Sequence, residues 1–159
     1  MLVIDASAIV HAWDNYPIGI FPPLWGWLEE GFKNGDLCIP QPAMTEVEHV
    51  APDCAAWLRQ VGLKVLPITN DVLRYAQLIK DGLGISNDQY HPDGVDENDI
   101  LIIAVGRVFG AQLVSNESRQ PTLPSNKKKY KIPAVCVHIL PPPCISFLDL
   151  VKGSGRTFG

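Results

Sequence analysis

Short apolar runs alternate with longer segments of helical periodicity along this chain. Runs of strand length, bounded by turn residues or charges, stand at residues 1–4, 37–40, 64–68 and 111–115. Segments with apolar residues at helical spacing lie between and after them, at residues 7–14, 24–35, 42–50, 52–61, 70–82 and 96–109. Strands that alternate with helices predict an α/β sandwich with a mostly parallel sheet.

Turn and cap residues refine this outline. Residues 15–23 are expected to form a loop, because their three prolines stop a helix from continuing. Asn70 is placed to cap the helix that follows it. The helix over 96–109 contains six consecutive apolar residues and should therefore be central. A short strand near 144–146 and a helix near 147–152 complete the outline.

The composition indicates one folded domain over residues 1–159. Hydrophobic residues make up 47% of the chain and charged residues 19%, a balance typical of globular proteins. No apolar run reaches membrane-span length and no signal segment begins the chain, so we expect a cytoplasmic protein without membrane contact. We also expect a basic loop at about 118–131 and a flexible tail over 153–159.

Charge is unevenly distributed along the chain. Residues 1–106 contain 5 basic and 15 acidic residues, whereas residues 107–159 contain 8 and 2. An acidic segment followed by a basic one suits a cation-binding centre beside a surface for polyanions. A chance clustering of surface charge would give the same pattern.

Asp5 is the most informative single residue, because it follows an apolar run with no basic residue near it. Ligands of parallel sheets bind outside the carboxyl ends of the strands. A carboxylate there repels phosphate directly but can hold it through a divalent cation, which makes metal-dependent chemistry the first hypothesis. Alternatively, Asp5 caps the helix that begins near Ser7.

Further acids stand at helix starts or after strands, namely Glu46, Glu48, Asp96, Asp99 and Glu117. Phosphoryl chemistry with hard cations needs several carboxylates, and carboxylates brought together without a cation raise each other's pKa. Each acid also has a simpler explanation. Asp96 and Asp99 resemble a helix cap, Glu117 suits a solvated loop, and periodicity does not choose between Glu46 and Glu48.

The ordered set of motifs resembles a PIN domain, the nuclease fold of VapC-like toxins. The motifs are Asp5-Ala6-Ser7 after a strand, Pro40 with Glu46 six residues later, Asp96-x-x-Asp99-x-x-Ile102-x-Ala104, and Leu113-Val114-Ser115-Asn116-Glu117. The lysine-rich segment 127–131, followed by Ile132-Pro133-Ala134-Val135-Cys136, is similar to an uncharacterised bacterial PIN-like subfamily. The resemblance spans essentially the whole chain and implies a three-layer α/β/α sandwich.

The resemblance also implies roles for the site residues. Asp5, Glu46 and Asp99 would be the core metal ligands for one or two Mg²⁺ or Mn²⁺ ions. Asp96 would be an additional catalytic acid, and Glu117 a fourth ligand. Two hydroxyls, those of Ser7 and Ser115, would orient the carboxylates. The subfamily usually has Asp at position 134 and a threonine-bearing version of residues 115–117, and the second departure leaves the fourth ligand open.

The implied function is a metal-dependent endoribonuclease that hydrolyses RNA phosphodiesters, as the toxin of a type II toxin–antitoxin pair. Such toxins form homodimers and are blocked by an antitoxin. Four lysines would bind RNA phosphates, namely Lys127, Lys128, Lys129 and Lys131; otherwise they form a solvated, flexible loop.

Two other functions compete with this interpretation. A haloacid-dehalogenase-type phosphatase also begins with a strand-terminal Asp, but it needs a second Asp where this chain has Ser7. A PIN-like RNA-binding or regulatory protein that cuts weakly or not at all is the stronger alternative.

Overall fold

Five short parallel strands form the centre of the structure, a computed structural model that describes residues 1–159. The strands are β1 (Leu2–Ile4), β2 (Leu37–Pro40), β3 (Lys64–Leu66), β4 (Gln112–Val114) and β5 (Cys144–Ile145). Their order in the sheet is β3-β2-β1-β4-β5, and every pairing is parallel.

Helices connect the strands and flank the sheet. They are α1 (Ala6–Asn15), α2 (Pro22–Asn34), α3 (Gln41–Val50), α4 (Pro52–Val61), α5 (Asn70–Leu83), α6 (Glu97–Val108), α7 (Ile132–His138) and α8 (Phe147–Gly153), with a 3-10 turn at Lys127–Lys129. A parallel sheet needs cover on both faces. The architecture is therefore a three-layer α/β/α sandwich of the PIN-like kind, and the predicted α/β class is confirmed.

The direction of the connections changes at β1. From β1 the chain moves outward through β2 and β3 on one side, and it later returns to β4 and β5 on the other. The Asp5 N–H, just beyond β1, donates to the Val114 carbonyl at the end of β4 at 2.8 Å. Side chains that follow β1 and β4 therefore meet at one edge of the sheet, at a topological switch point.

Helix α6 is central, as its apolar run predicts. Its residues Ile102–Val105 are fully buried, and the helix packs against α3, α5 and α7 as well as the sheet.

Trp25 of α2 is 2% exposed and donates its indole N–H to the Tyr16 carbonyl. None of the helices combines the length and apolar character needed to cross a membrane.

Two local predictions were wrong. The loop predicted over 15–23 ends earlier, because Pro22 and Pro23 occupy the first turn of α2, where no backbone N–H is needed. The cap of α5 is Thr69, whose hydroxyl accepts from the Val72 N–H, and Asn70 is already helical. Near the end of the sequence, Phe158 packs on Trp27 with ring centroids 5.3 Å apart, and the flexible tail over 153–159 stays a prediction.

Replacing Thr69 by Ala should destabilise the protein by about 1 kcal/mol, because one N–H at the start of α5 loses its acceptor. Asn70→Ala is the matched control and should change the free energy of unfolding by less than about 0.5 kcal/mol. Urea unfolding of both variants measures the difference. Equal losses for the two variants would contradict the assignment of the cap.

Candidate active site

Asp5 lies at the carboxyl end of β1 and is 2% exposed. Two hydroxyls donate to the same carboxylate oxygen, Oδ2, from Ser7 at 2.6 Å and from Ser115 at 3.0 Å. The two hydroxyl oxygens are themselves 3.2 Å apart. The predicted orienting serines thus contact Asp5 from α1 on one side and from the end of β4 on the other.

These serines also hold the loop that follows β4. The Ser7 hydroxyl accepts from the Asn116 N–H at 2.9 Å, and the Ser115 hydroxyl accepts from the Glu117 N–H at 3.2 Å. The Asn116 side chain in turn accepts from the Phe147 N–H at 2.8 Å. Glu117 is therefore attached to the same network that orients Asp5.

Asp5 stands at the N-cap position of α1, but its carboxylate makes no capping hydrogen bond there. Burial raises its pKa, while the hydrogen bonds from the Ser7 and Ser115 hydroxyls oppose the rise. Burial makes a carboxylate costly to ionise, and donated hydrogen bonds offset part of that cost. Helix capping alone does not explain this placement.

Asp96 and Asp99 form a reciprocal capping box at the start of α6. The Asp96 carboxylate accepts from the Asp99 N–H at 2.9 Å, and the Asp99 carboxylate accepts from the Asp96 N–H at 3.0 Å. The capping interpretation is thus present in the structure. It occupies only part of each carboxylate, since an ionised carboxylate has about four acceptor sites.

The structure separates Glu46 from Glu48 on α3. Both side chains are exposed, but Glu48 pairs with Arg59 of α4 at 2.5 Å. Partial desolvation raises the pKa of Glu46, and the negative charges of three other acids add to the rise, those of Asp5, Asp96 and Glu117. Glu46 therefore faces the other acids, whereas Glu48 faces a basic partner.

The remaining acids also raise each other's pKa. Burial raises the pKa of Asp99 to about 8. Further contributions to that rise come from the charges of Asp96, Asp5 and Glu117. Burial and the charges of Asp5 and Asp96 raise the pKa of Glu117. Five carboxylates from four parts of the chain thus act on one another electrostatically at the carboxyl edge of the sheet.

This donor set fits a hard divalent cation such as Mg²⁺ or Mn²⁺, because every donor is a carboxylate oxygen and a cation would relieve the mutual repulsion. No group of three or more Asp, Glu, His or Cys side chains is arranged to hold a metal ion as the structure stands. The acids form an electrostatic cluster rather than a closed cage of ligands.

The four predicted RNA-binding lysines lie in and after the 3-10 turn. Lys127 is exposed, while Lys128, Lys129 and Lys131 are half-buried. The positive charge of Lys131 lowers the pKa of Glu117 against the effects of burial and the neighbouring acids. The structure thus brings Lys131 to the edge of the acid cluster.

Sequence reasoning missed Gln120, whose side-chain amide contacts the lysine segment. Its Nε2 donates to the Lys129 carbonyl at 3.0 Å, and its Oε1 accepts from the Lys131 N–H at 2.8 Å. Nothing in the local sequence marks this glutamine, because its partners are nine and eleven residues away in an irregular segment.

Replacing Asp99 by Asn should stabilise the metal-free protein at high pH. The folded-state pKa of about 8 lies above the ordinary 3.8, so wild-type stability falls as pH rises between these values. The Asn variant lacks this loss and should be more stable above about pH 8 by several kcal/mol, at about 1.4 kcal/mol for each pH unit between the two pKa values. Below about pH 4 the two proteins should match.

Urea unfolding in EDTA across this pH range measures the effect. Asp36→Asn, at an exposed position outside the cluster, is the matched control and should show no such pH dependence. A wild-type protein whose stability rises between pH 4 and 8 relative to Asp99→Asn would contradict the electrostatic account.

Known proteins resemble this chain in fold rather than in sequence. No curated protein matches the sequence. The structure of VapBC2 from Rickettsia felis, bound to a DNA fragment from their promoter, is 17% identical, with a TM-score of 0.51 over 72% of this chain and 86% of that chain. FitAB bound to an IR36 DNA fragment is 9% identical, with a TM-score of 0.50 over 92% and 95%.

At these identities the likeness concerns the fold alone, and it agrees with the PIN-like sandwich described above. One protein family covers nearly the whole sequence. The family model for a domain of unknown function (DUF4411) matches residues 2–158. The chain belongs to the DUF4411 family.

Proposed function

We propose that this protein is a metal-dependent endoribonuclease that hydrolyses RNA phosphodiesters. The observation that carries the proposal is the cluster of carboxylates around buried Asp5, whose members raise each other's pKa. Repulsion between close carboxylates destabilises the folded protein, and a bound cation offsets that repulsion. Strained electrostatics of this kind is typical of active sites.

Asp5, Glu46 and Asp99 would hold the cation, with Glu117 as a fourth ligand and Asp96 as a neighbouring acid. Ser7 and Ser115 keep the Asp5 carboxylate in one orientation through their bonds to Oδ2. When bound, Mg²⁺ or Mn²⁺ supplies charge for the scissile phosphate and lowers the pKa of a water nucleophile. The carboxylates and the cation would supply this chemistry without an imidazole base.

The biological role we propose is that of a toxin acting on RNA in the cytoplasm. The solved structures of similar fold include VapBC and FitAB complexes, which supports an antitoxin partner and a nuclease of the toxin type. A homodimer is part of the same proposal. The basic segment beside the acids supplies the surface for the RNA backbone.

A PIN-like RNA-binding protein that cuts weakly or not at all is the second candidate. It is favoured by the open arrangement of the acids, none of which form a ready ligand group of three. Metal-dependent cleavage distinguishes the two functions.

Purified protein should cut a total cellular RNA pool at discrete positions when Mn²⁺ or Mg²⁺ is present, and EDTA should stop the reaction. Asp99→Asn should lower the rate by about 100-fold or more, because one cation ligand loses its charge. Asp36→Asn should cut as the wild type does. Gel or sequencing analysis of the RNA ends reads out the result, and metal-independent cleavage would contradict the proposal.

Mn²⁺ should also stabilise the protein without any substrate. At 100 times the dissociation constant, a cation that binds only the folded state adds about 2.7 kcal/mol. Glu46→Gln should lose most of this gain, whereas Glu48→Gln should keep it, because Glu48 pairs with Arg59 away from the cluster. Thermal unfolding with and without Mn²⁺ measures both. Equal gains for the two variants would remove Glu46 from the proposed ligand set.

A further inference from the structure

The lysine segment 127–131 is attached to the rest of the fold at defined points. Gln120 bridges its backbone on both sides of Tyr130, donating to the Lys129 carbonyl and accepting from the Lys131 N–H. Asn126 caps the 3-10 turn by accepting from the Lys128 N–H at 3.0 Å. An amide that pairs with two backbone groups in this way reproduces the contacts of a neighbouring strand, which fixes the path of the chain.

A second set of contacts ties the segment to the acidic side of the site. The Tyr130 carbonyl accepts from the Val95 N–H at 3.0 Å, and the Tyr130 side chain is only 7% exposed. Gly94 packs so closely that a Cβ at this position would lie 1.7 Å from the Lys128 carbonyl oxygen. Asp96, the cap of α6, follows directly after these two residues.

The fixed path has an electrostatic consequence at Lys131. This lysine is half-buried and directly follows Tyr130, whose carbonyl accepts from the Val95 N–H next to Asp96; its charge also lowers the pKa of Glu117. Lys127, at the other end of the segment, is exposed. The two end lysines are therefore not equivalent, since Lys127 is exposed whereas Lys131 is half-buried beside the residues that precede α6.

We propose that Gln120 is a positioning residue that holds Lys131 beside the acid cluster as the seat for an RNA phosphate. This inference rests on the proposed nuclease function. An RNA phosphate at this seat would lie between Lys131 and the cation held by the proposed carboxylate ligands. The positive charges of the lysine and of the cation could then both neutralise the phosphate. Lys127 would contribute only general attraction to the RNA backbone.

The test compares Gln120→Met, which keeps the length of the side chain but removes its hydrogen bonds, with Gln77→Met. Gln77 is exposed on α5 and bonds only Asp81 of the same helix, so it is a matched control. Binding of a fluorescent oligouridylate is measured by anisotropy in EDTA over a range of salt concentrations. Hydrogen exchange of residues 127–131 is measured on the same proteins.

Gln120→Met should weaken RNA binding about fivefold and make the logarithmic salt slope shallower by about 0.7, the value for one lost phosphate contact on a single strand. Lys131→Met should match it, whereas Lys127→Met should change the affinity less than about twofold. Exchange over 127–131 should accelerate in Gln120→Met and stay unchanged in Gln77→Met. A purely structural role would change exchange or stability but leave the salt slope intact.

Wild-type affinity and salt slope in Gln120→Met would overturn the inference while leaving the proposed function in place. If that variant unfolds, Lys131→Met decides, and wild-type binding by it would overturn the inference. A wild-type protein that binds no RNA in either EDTA or Mn²⁺ would overturn the proposed function, and the phosphate seat with it.

Discussion

The burial of the Asp5 carboxylate between two serine hydroxyls is the constraint on which the rest of the site depends. Asp5 is 2% exposed and follows directly after β1, so the pairing of β1 with β4 decides where its charge lies. The same pairing brings Ser115 to Oδ2. Because Ser115 also accepts from the Glu117 N–H, one buried carboxylate organises the loop that follows β4.

The acids around Asp5 come from separate elements. Each has a simple local explanation, so the sequence around it does not reveal its part in the acid cluster. Asp96 and Asp99 complete the cap of α6, while Glu46 lies on the exposed side of α3. Burial and mutual repulsion nevertheless raise the pKa of Asp99 to about 8. A fold that accepts this electrostatic cost at one edge of its sheet has given up stability there, as functional sites commonly do. The charge of Lys131 opposes part of this repulsion by lowering the pKa of Glu117.

Local signals account for what could be predicted. The strand before Asp5 and the apolar helix α6 can be predicted from the hydrophobic pattern of neighbouring residues alone. The alternation of such strands and helices is enough to predict the α/β class. The cap of α5 lies one position before the predicted one, because Thr69 and Asn70 are both good caps and only backbone geometry separates them. Tertiary contacts account for what could not be predicted. Glu48 pairs with Arg59 of another helix, and Gln120 bonds the lysine segment nine residues away, so no local sequence pattern indicates either contact.

The central claim is that Asp5, Glu46 and Asp99 close around a divalent cation. The most direct measurement is the anomalous scattering of Mn²⁺ in crystals of the protein soaked with that ion. The account predicts an anomalous peak within about 2.5 Å of oxygens from all three carboxylates, the distance range of hard cations and oxygen ligands. A fully occupied Mn²⁺ site elsewhere, with these three carboxylates unliganded, would contradict it.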